Sequence, residues 1–186
     1  MLMNAMDARL DDAIDFAAAK HRGQYRDGDV PLPYITHPLD VLANLRYTGE
    51  ATDIDMLVTA VLHDVIEECG VEPDEIEKRF GRRVRELVEE LTRYEPTLAE
   101  TAGMTPDERW ELRSKLLLEE IEKMSPTAQA VKLADRLSNL NEARRVKNGK
   151  KLERYNRQTG KILKIIPRKA NPGLWDALKR LHEEIG

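Results

Sequence analysis

Apolar residues recur every three or four positions along almost the whole chain, and this spacing is typical of α-helices that bury one face. The clearest stripe runs from Ile54 to Ile66 and contains seven apolar residues at helical spacing. No segment shows the alternating pattern of a half-buried β-strand, although a short β-pairing inside the loop 23–33 stays open. The sequence therefore predicts an all-α fold, a single-domain helical bundle.

Capping residues predict where the helices begin and end. Asp53 can cap the helix that carries the clearest stripe, and Gly70 can close it. Thr105 and Glu108 form a capping box for a later helix. The other predicted helices are a first one through Leu10–His21, a second from Pro38 to Gly49, short ones at Pro73–Phe80 and Val84–Leu91, and later ones that begin at Ser125, Lys151 and Pro172.

The composition limits the class of protein. The chain has 186 residues, 30 of them basic and 34 acidic, for a net charge of −4. At about 100–200 residues per domain, this length predicts one domain over residues 1–186. The near balance of charge argues against a nucleic-acid or membrane partner. With one cysteine, no secretory signal and no apolar run of membrane-spanning length, a cytoplasmic protein without disulfides is expected.

Four polar residues near the end of the Asp53 helix could carry chemistry. His63 and Asp64 are adjacent, and neighbours on a helix lie about 100° apart, so both reach one point only at the edge of the apolar stripe. A buried Asp64 would need a partner, and a divalent cation would be one. Glu67 and Glu68 follow one turn later and could position or deprotonate water. The alternative is that both are solvated charges near a helix end.

Two further residues come from distant segments. His37 precedes a proline that can open a helix, and it could cap or pack instead of binding a ligand. Asp135 interrupts a helix whose other face is apolar. Its alternative role is a salt bridge with Lys132, Arg136 or another base.

The order of these residues resembles a known signature. His37, then His63–Asp64, then Asp135 resemble the H…HD…D series of the HD-domain metal-dependent phosphohydrolases. Four sequence segments resemble, more specifically, the hydrolase domain of the RelA/SpoT group. The length of the chain is similar to that of the stand-alone small alarmone hydrolases. The four segments are AAAKHRGQ at 17–24, PYITHP at 33–38, AVLHDVIEE at 60–68 and VKLADRLSNL at 131–140.

The resemblance implies an enzyme that binds one divalent metal ion, usually manganese. The family releases pyrophosphate from the 3′ position of guanosine tetra- or pentaphosphate (ppGpp or pppGpp), leaving GDP or GTP. It implies the following roles in this chain: metal ligation by His37, His63, Asp64 and Asp135, catalysis by Glu67, Glu68 and Asn139, and substrate binding by Arg22, Arg26, Asn139 and Tyr155. Because small HD proteins often pair through helices, a homodimer is also an expectation.

Three departures from the family pattern affect the nucleotide end. Asp27 stands where the family usually has Lys, and Asn141 and Glu142 stand where it often has Arg and Thr. Glu68 replaces the usual Asp and adds a methylene group. An HD phosphohydrolase that acts on another nucleotide or dinucleotide phosphate is therefore the alternative function. A non-catalytic binding protein is a third alternative, but it would require the loss of a ligand or water-activating group, and all of these are present.

Overall fold

The structure is a computed structural model that describes residues 5–186, with side chains from residue 8 onward. The described residues form ten α-helices, one π-helical turn at Asn44–Thr48 and one 3₁₀ turn at Arg168–Ala170. The α-helices are α1 (Ala5–Lys20), α2 (Thr36–Ala43), α3 (Ile54–Leu62), α4 (Val65–Cys69), α5 (Pro73–Phe80), α6 (Arg82–Leu91), α7 (Pro106–Lys123), α8 (Pro126–Val146), α9 (Gly149–Ile165) and α10 (Pro172–Ile185).

The all-α prediction is confirmed. Over residues 5–186 the only β-type pairing is one isolated antiparallel bridge between Tyr25 and Pro33, inside the loop where a short pairing was left open. None of the helices in this part of the chain is long and apolar enough to cross a membrane.

The predicted helix caps are confirmed. The Asp53 carboxylate accepts a hydrogen bond from the Asp55 amide at 3.0 Å, and Thr105 forms the complete capping box with Glu108. The Ser125 hydroxyl accepts from the Ala128 amide at 3.2 Å. Helix ends of this kind satisfy amides that have no partner inside the helix, which explains why they are visible in the sequence.

Helices α3 and α6 lie between two apolar clusters. One cluster contains residues of α1, α4 and α5, and the other contains residues of α2, α7, α8, α9 and α10. Leu57 of α3 belongs to the larger cluster and Val58 to the smaller. Because α3 is covered on both sides, its residues 57–62 are all buried. The turn that follows α3 is therefore held between both halves of the bundle.

The predicted continuous helix from Asp53 to Gly70 is wrong at one point. It is divided into α3 and α4 by a turn at His63 and Asp64, where the Asp64 backbone adopts φ −103° and ψ −3°. The predicted end at Gly70 is confirmed, with the left-handed φ of 64° that glycine tolerates best. A second difference is that α2 begins at Thr36, so His37 lies in its first turn rather than before it.

Candidate metal centre and cleft

Four predicted side chains converge from three segments of the chain. His37 comes from the first turn of α2, His63 and Asp64 from the turn between α3 and α4, and Asp135 from the middle of α8. The Nε2 atom of His37 lies 3.5 Å from Asp64 Oδ2 and 3.3 Å from Asp135 Oδ1. The Nε2 atom of His63 lies 3.2 Å from Asp64 Oδ2 and 3.8 Å from Asp135 Oδ1. The helix break allows two adjacent residues to face this common point.

The orientation of the two imidazole rings fits a cation between them. His63 Nδ1 lies 2.8 Å from the Ala60 carbonyl and donates to it, so in the neutral ring that a metal ligand requires, the lone pair lies on Nε2. This Nε2 is buried and has no hydrogen-bond partner. The ligand atoms of His37, His63 and Asp135 all lie within 4.8 Å of one another, and Asp64 approaches both rings from the remaining side. The unpartnered Nε2 of His63 and the nearby carboxylates together form a set of ligand atoms that would suit a divalent cation.

The charges in this centre depend on one another. Burial lowers the pKa of His63, but the neighbouring Asp64 and Asp135 carboxylates outweigh it and raise that pKa to about 9. Burial raises the pKa of Asp64, yet the His63 and His37 rings together outweigh burial and hold that pKa far below its usual range. The centre thus keeps both carboxylates ionised, as metal ligands must be, and a cation bound here would displace the proton that these carboxylates favour on His63.

Asp135 combines the two roles that the sequence left open. Its Oδ2 accepts from Lys132 Nζ at 2.9 Å, and its Oδ1 faces the two rings and accepts from the Asn139 amide. Burial raises the pKa of Asp135, but the Lys132 ammonium and the His37 and His63 rings together outweigh burial and hold the pKa well below its usual value. The salt bridge therefore positions the carboxylate without consuming the oxygen that faces the centre.

Tyr34 also belongs to the site, although no role was predicted for it from the sequence. Its hydroxyl donates to Asp64 Oδ2 at 2.7 Å. One face of its ring stacks on His21 at 4.6 Å between centroids, and the Arg26 guanidinium lies 5.4 Å from the ring centroid. Tyr34 lies within the PYITHP phrase, so its position was visible, but its contact with Asp64 depends on tertiary packing.

A cleft of about 350 Å³ is lined by three of the four converging side chains, those of His37, Asp64 and Asp135. Five other predicted site residues line it: Arg26, Glu67, Glu68, Asn139 and Tyr155. Arg22 is exposed and is not among the residues that line this cleft, so its substrate-binding role stays a prediction.

The positively charged side chains of Arg93 and Arg136 also line the cleft, and neither was predicted to be a site residue. Arg93 donates to the Glu67 carboxylate, with its Nε 2.9 Å from Oε1. Arg136 is buried, stacks its guanidinium 3.6 Å from the Tyr155 ring centroid and donates to the Tyr155 carbonyl at 2.6 Å. Burial lowers the pKa of Arg136. Single charged residues in a chain that is 34% charged carry no local signal that separates them from solvated ones.

Burial also affects the second glutamate of the predicted pair. The pKa of Glu68 is raised, first by burial and then by the nearby Asp64 and Glu67 carboxylates. Proton uptake by Glu68 is therefore easier than for a solvated glutamate. The arrangement combines a candidate cation site, a carboxylate of raised pKa and several cations, which together suit the hydrolysis of a phosphate ester.

Comparison with known proteins agrees with this geometry. A model of the family described as the HD domain matches residues 13–167. The mouse protein named guanosine-3′,5′-bis(diphosphate) 3′-pyrophosphohydrolase MESH1 is 36% identical over 188 aligned positions, which cover 99% of this chain and 98% of that protein. The human protein of the same name is similar to the same extent.

A solved structure resembles the whole fold. It is described as a metazoan ortholog of SpoT that hydrolyzes ppGpp and plays a role in starvation responses. The two chains superpose with a TM-score of 0.83 at 27% identity, over 100% of this chain and 98% of the other. Because the family model matches well over half of the sequence and these relatives match it along its length, the chain belongs to the HD domain family.

Proposed function

We propose that this chain is a divalent-cation-dependent hydrolase that releases pyrophosphate from the 3′ position of ppGpp or pppGpp, leaving GDP or GTP. The observation that carries the proposal is the convergence of two imidazoles and two carboxylates around the orphaned His63 Nε2, at the base of a cleft lined by cations. The names of the mouse and human relatives support the choice of substrate.

We assign the metal ligands to His37, His63, Asp64 and Asp135, and the ion to Mn²⁺. A mixed set of nitrogen and oxygen donors suits a borderline to hard divalent ion. When bound, such an ion lowers the pKa of water and offsets the negative charge of phosphate oxygens.

Residues of the chain supply the remaining functions. Glu67, which Arg93 holds at the cleft wall, orients the attacking water, and Glu68 takes up its proton. A bond forms between the water oxygen and the phosphorus on the 3′ oxygen, the bond from that phosphorus to the 3′ oxygen breaks, and the 3′ oxygen takes up the proton that Glu68 received from the water. Asn139, whose side-chain amide donates to Asp135, contacts the substrate near its ribose.

The nucleotide is bound by Arg26 and Tyr155, which line the cleft near Asn139. Arg26 can stack on a purine or pair with phosphate. Arg22 lies outside the cleft, so its contribution would be long-range positive potential rather than contact.

Further proposals concern the whole protein. We propose a single domain over residues 1–186, a cytoplasmic location, no nucleic-acid partner and a homodimer. Light scattering at several concentrations tests the homodimer, since a mass near 21.3 kDa at every concentration would contradict it.

The function is tested by incubating Mn²⁺-loaded protein with ppGpp and identifying the products. We expect GDP and pyrophosphate, with no product after chelation or in Asp64→Ala. The matched control is Asp74→Ala, an exposed carboxylate on α5, which should keep full activity. An intact ppGpp pool with folded, metal-loaded protein would contradict the proposal.

The alternative is hydrolysis of another nucleotide or dinucleotide phosphate. The carboxylates of Asp27 and Glu142 favour it, because they pair with Lys147 and Arg26 and cancel positive charge at the nucleotide end. A nucleotide panel assayed separately for orthophosphate and pyrophosphate distinguishes the two functions. Release of orthophosphate alone would favour the alternative.

A further inference from the structure

One basic side chain of the cleft has no carboxylate partner. Five basic side chains line the cleft, and four of them form ion pairs: Arg26 with Glu142, Arg93 with Glu67, Arg113 with Glu95 and Lys132 with Asp135. The fifth is Arg136, and among the residues that the structure describes no carboxylate forms an ion pair with it. The charge of Arg136 is therefore free to act on an anionic ligand.

Arg136 is buried among neutral groups. The residue is only 4% exposed, and its Nε donates to the Thr159 hydroxyl at 2.9 Å. Its Nη2 donates to the Tyr155 carbonyl at 2.6 Å, and the Tyr155 ring, whose centroid lies 3.6 Å from the guanidinium carbon, covers one face. A buried charge without a charged partner costs folding free energy. An anion that reaches Arg136 from the cleft would supply the missing partner.

The third nitrogen of this guanidinium is accessible. Nη1 of Arg136 has no hydrogen-bond partner among the described residues, yet it is not one of the buried side-chain nitrogen and oxygen atoms that lack a partner. It therefore keeps contact with solvent, and Arg136 lines the cleft. Arginine N–H groups form short, charge-assisted hydrogen bonds with phosphate oxygens. Nη1 is thus the atom that would donate to a phosphate in the cleft.

Arg136 lies away from the nucleotide end of the cleft. A second cavity of about 240 Å³ adjoins the cleft at that end, and Arg26, Asn139 and Tyr155 line both spaces. Of these two spaces, Arg136 lines only the cleft. It follows Asp135 directly in α8, and both side chains line the same cleft. A phosphate bound by Arg136 would therefore lie next to the proposed metal centre rather than at the base.

We propose that Arg136 binds the terminal phosphate of the 3′-diphosphate and thereby selects 3′-diphosphates over 3′-monophosphates. This inference rests on the proposed function, which sets the phosphorus bonded to the 3′ oxygen at the four converging side chains. One bridging oxygen joins the terminal phosphate to that phosphorus, so the terminal phosphate lies beside the centre, where Arg136 is. A 3′-monophosphate has no second phosphate to accept from Nη1, and the buried charge then stays unpaired.

The test compares two substrates that differ only in the terminal 3′ phosphate: ppGpp and ppGp, which carries a single phosphate on the 3′ oxygen. For the unaltered, Mn²⁺-loaded protein we expect kcat/KM to be at least about 30-fold higher for ppGpp, because a buried, charge-assisted hydrogen bond is made only with that substrate. Arg136→Gln removes the charge. It should lower kcat/KM for ppGpp by at least about 30-fold and leave that for ppGp within about threefold.

The ratio between the two substrates protects the test against loss of folding or metal, which lowers both values equally. Arg136→Lys keeps a charge but loses the planar fork, so its ratio should lie between those of the unaltered protein and Arg136→Gln. The matched control is Arg157→Gln, which removes an exposed guanidinium on α9 and should leave the ratio unchanged. A ratio near one in the unaltered protein, or an unchanged ratio in Arg136→Gln, would overturn the inference.

A binding experiment separates this inference from the proposed function. Pyrophosphate and orthophosphate are titrated into metal-free protein by calorimetry. We expect the unaltered protein to bind pyrophosphate at least about tenfold more tightly, and Arg136→Gln to lose this preference. If neither ppGpp nor ppGp is hydrolysed by any variant, the proposed function fails, while a preference for pyrophosphate that disappears in Arg136→Gln still supports phosphate binding by Arg136. Equal pyrophosphate affinity in the two proteins, including no binding to either, contradicts it.

Discussion

At the scale of single residues, the candidate site depends on the groups that orient its ligands. His63 Nδ1 donates to the Ala60 carbonyl, and His37 Nδ1 lies 3.1 Å from the Ser138 hydroxyl, so both Nε2 atoms face the carboxylates. Such partners fix ring orientation and tautomer. The ligand residue types were predictable from the sequence, but these partners were not. A backbone carbonyl has no sequence signature, and Ser138 reaches His37 only because α8 packs on α2.

Tyr34→Phe tests the contribution of an orienting hydroxyl. The change keeps the ring that stacks on His21 but removes the donor to Asp64. We expect Mn²⁺ affinity to fall about 10- to 100-fold, as is typical when a partner of a metal ligand is lost. Competition with a metal-binding dye measures the affinity. Tyr94→Phe, which removes an exposed hydroxyl bonded to Glu100, is the control, and equal affinities in the two variants would contradict the role of Tyr34.

At the scale of helices, the sequence predicted where helices begin and end better than where a helix is interrupted. The caps at Asp53, Thr105 and Ser125 are local hydrogen bonds and were predicted correctly. The break at His63 and Asp64 was not, because apolar residues continue at helical spacing through Val65 and Ile66 on the far side. The turn is held by packing between the two apolar clusters, which depends on residues far away in the chain.

Thr105→Ala tests the capping box of α7. Loss of the hydroxyl leaves the Glu108 amide without its acceptor, so the free energy of unfolding should fall by about 1 kcal/mol. Urea unfolding followed by circular dichroism measures the change. Thr52→Ala, at an exposed position outside a helix, should stay within about 0.5 kcal/mol of the unaltered protein. Equal losses in both variants would contradict a capping role.

The same box predicts a dependence on pH. Hydrogen bonds from the backbone and hydroxyl of Thr105 hold the pKa of Glu108 below its ordinary value of 4.5. A carboxyl group with a lowered folded-state pKa adds stability above its ordinary pKa, and this stability is lost as the pH falls through the folded value. Glu108→Gln should therefore be less stable than the unaltered protein at neutral pH, and the difference should shrink as the pH falls below 4.5. Urea unfolding at neutral and at acid pH checks this, and a difference that is as large in acid would contradict it.

At the scale of the whole molecule, the candidate site lies where separate parts of the bundle meet. The α3–α4 turn follows a helix shared by both apolar clusters, and α2 and α8 belong to the larger one. The sequence predicted the fold class and most helices. It could not supply their arrangement, because apolar stripes specify which face is buried and not which partner covers it. The convergence of His37 and Asp135 on His63 was therefore expected only through family resemblance.

A cation shared by three segments should stabilise the entire bundle. A ligand that binds only the folded state at 100 times its Kd adds about 2.7 kcal/mol to the free energy of unfolding. We expect this gain on addition of Mn²⁺, its reversal by chelation and its absence in Asp135→Ala. Thermal unfolding measured by calorimetry with and without the ion checks the expectation. An identical response in Asp135→Ala would show that the ion acts elsewhere.

The central claim is that one divalent cation is held jointly by His37, His63, Asp64 and Asp135. Anomalous diffraction from crystals grown with Mn²⁺ tests it most directly, because the signal locates the ion independently of any assay. We predict one strong peak at the end of α3, within bonding distance of all four side chains. A peak elsewhere, or an ion that leaves His37 or Asp135 out of contact, would contradict the account.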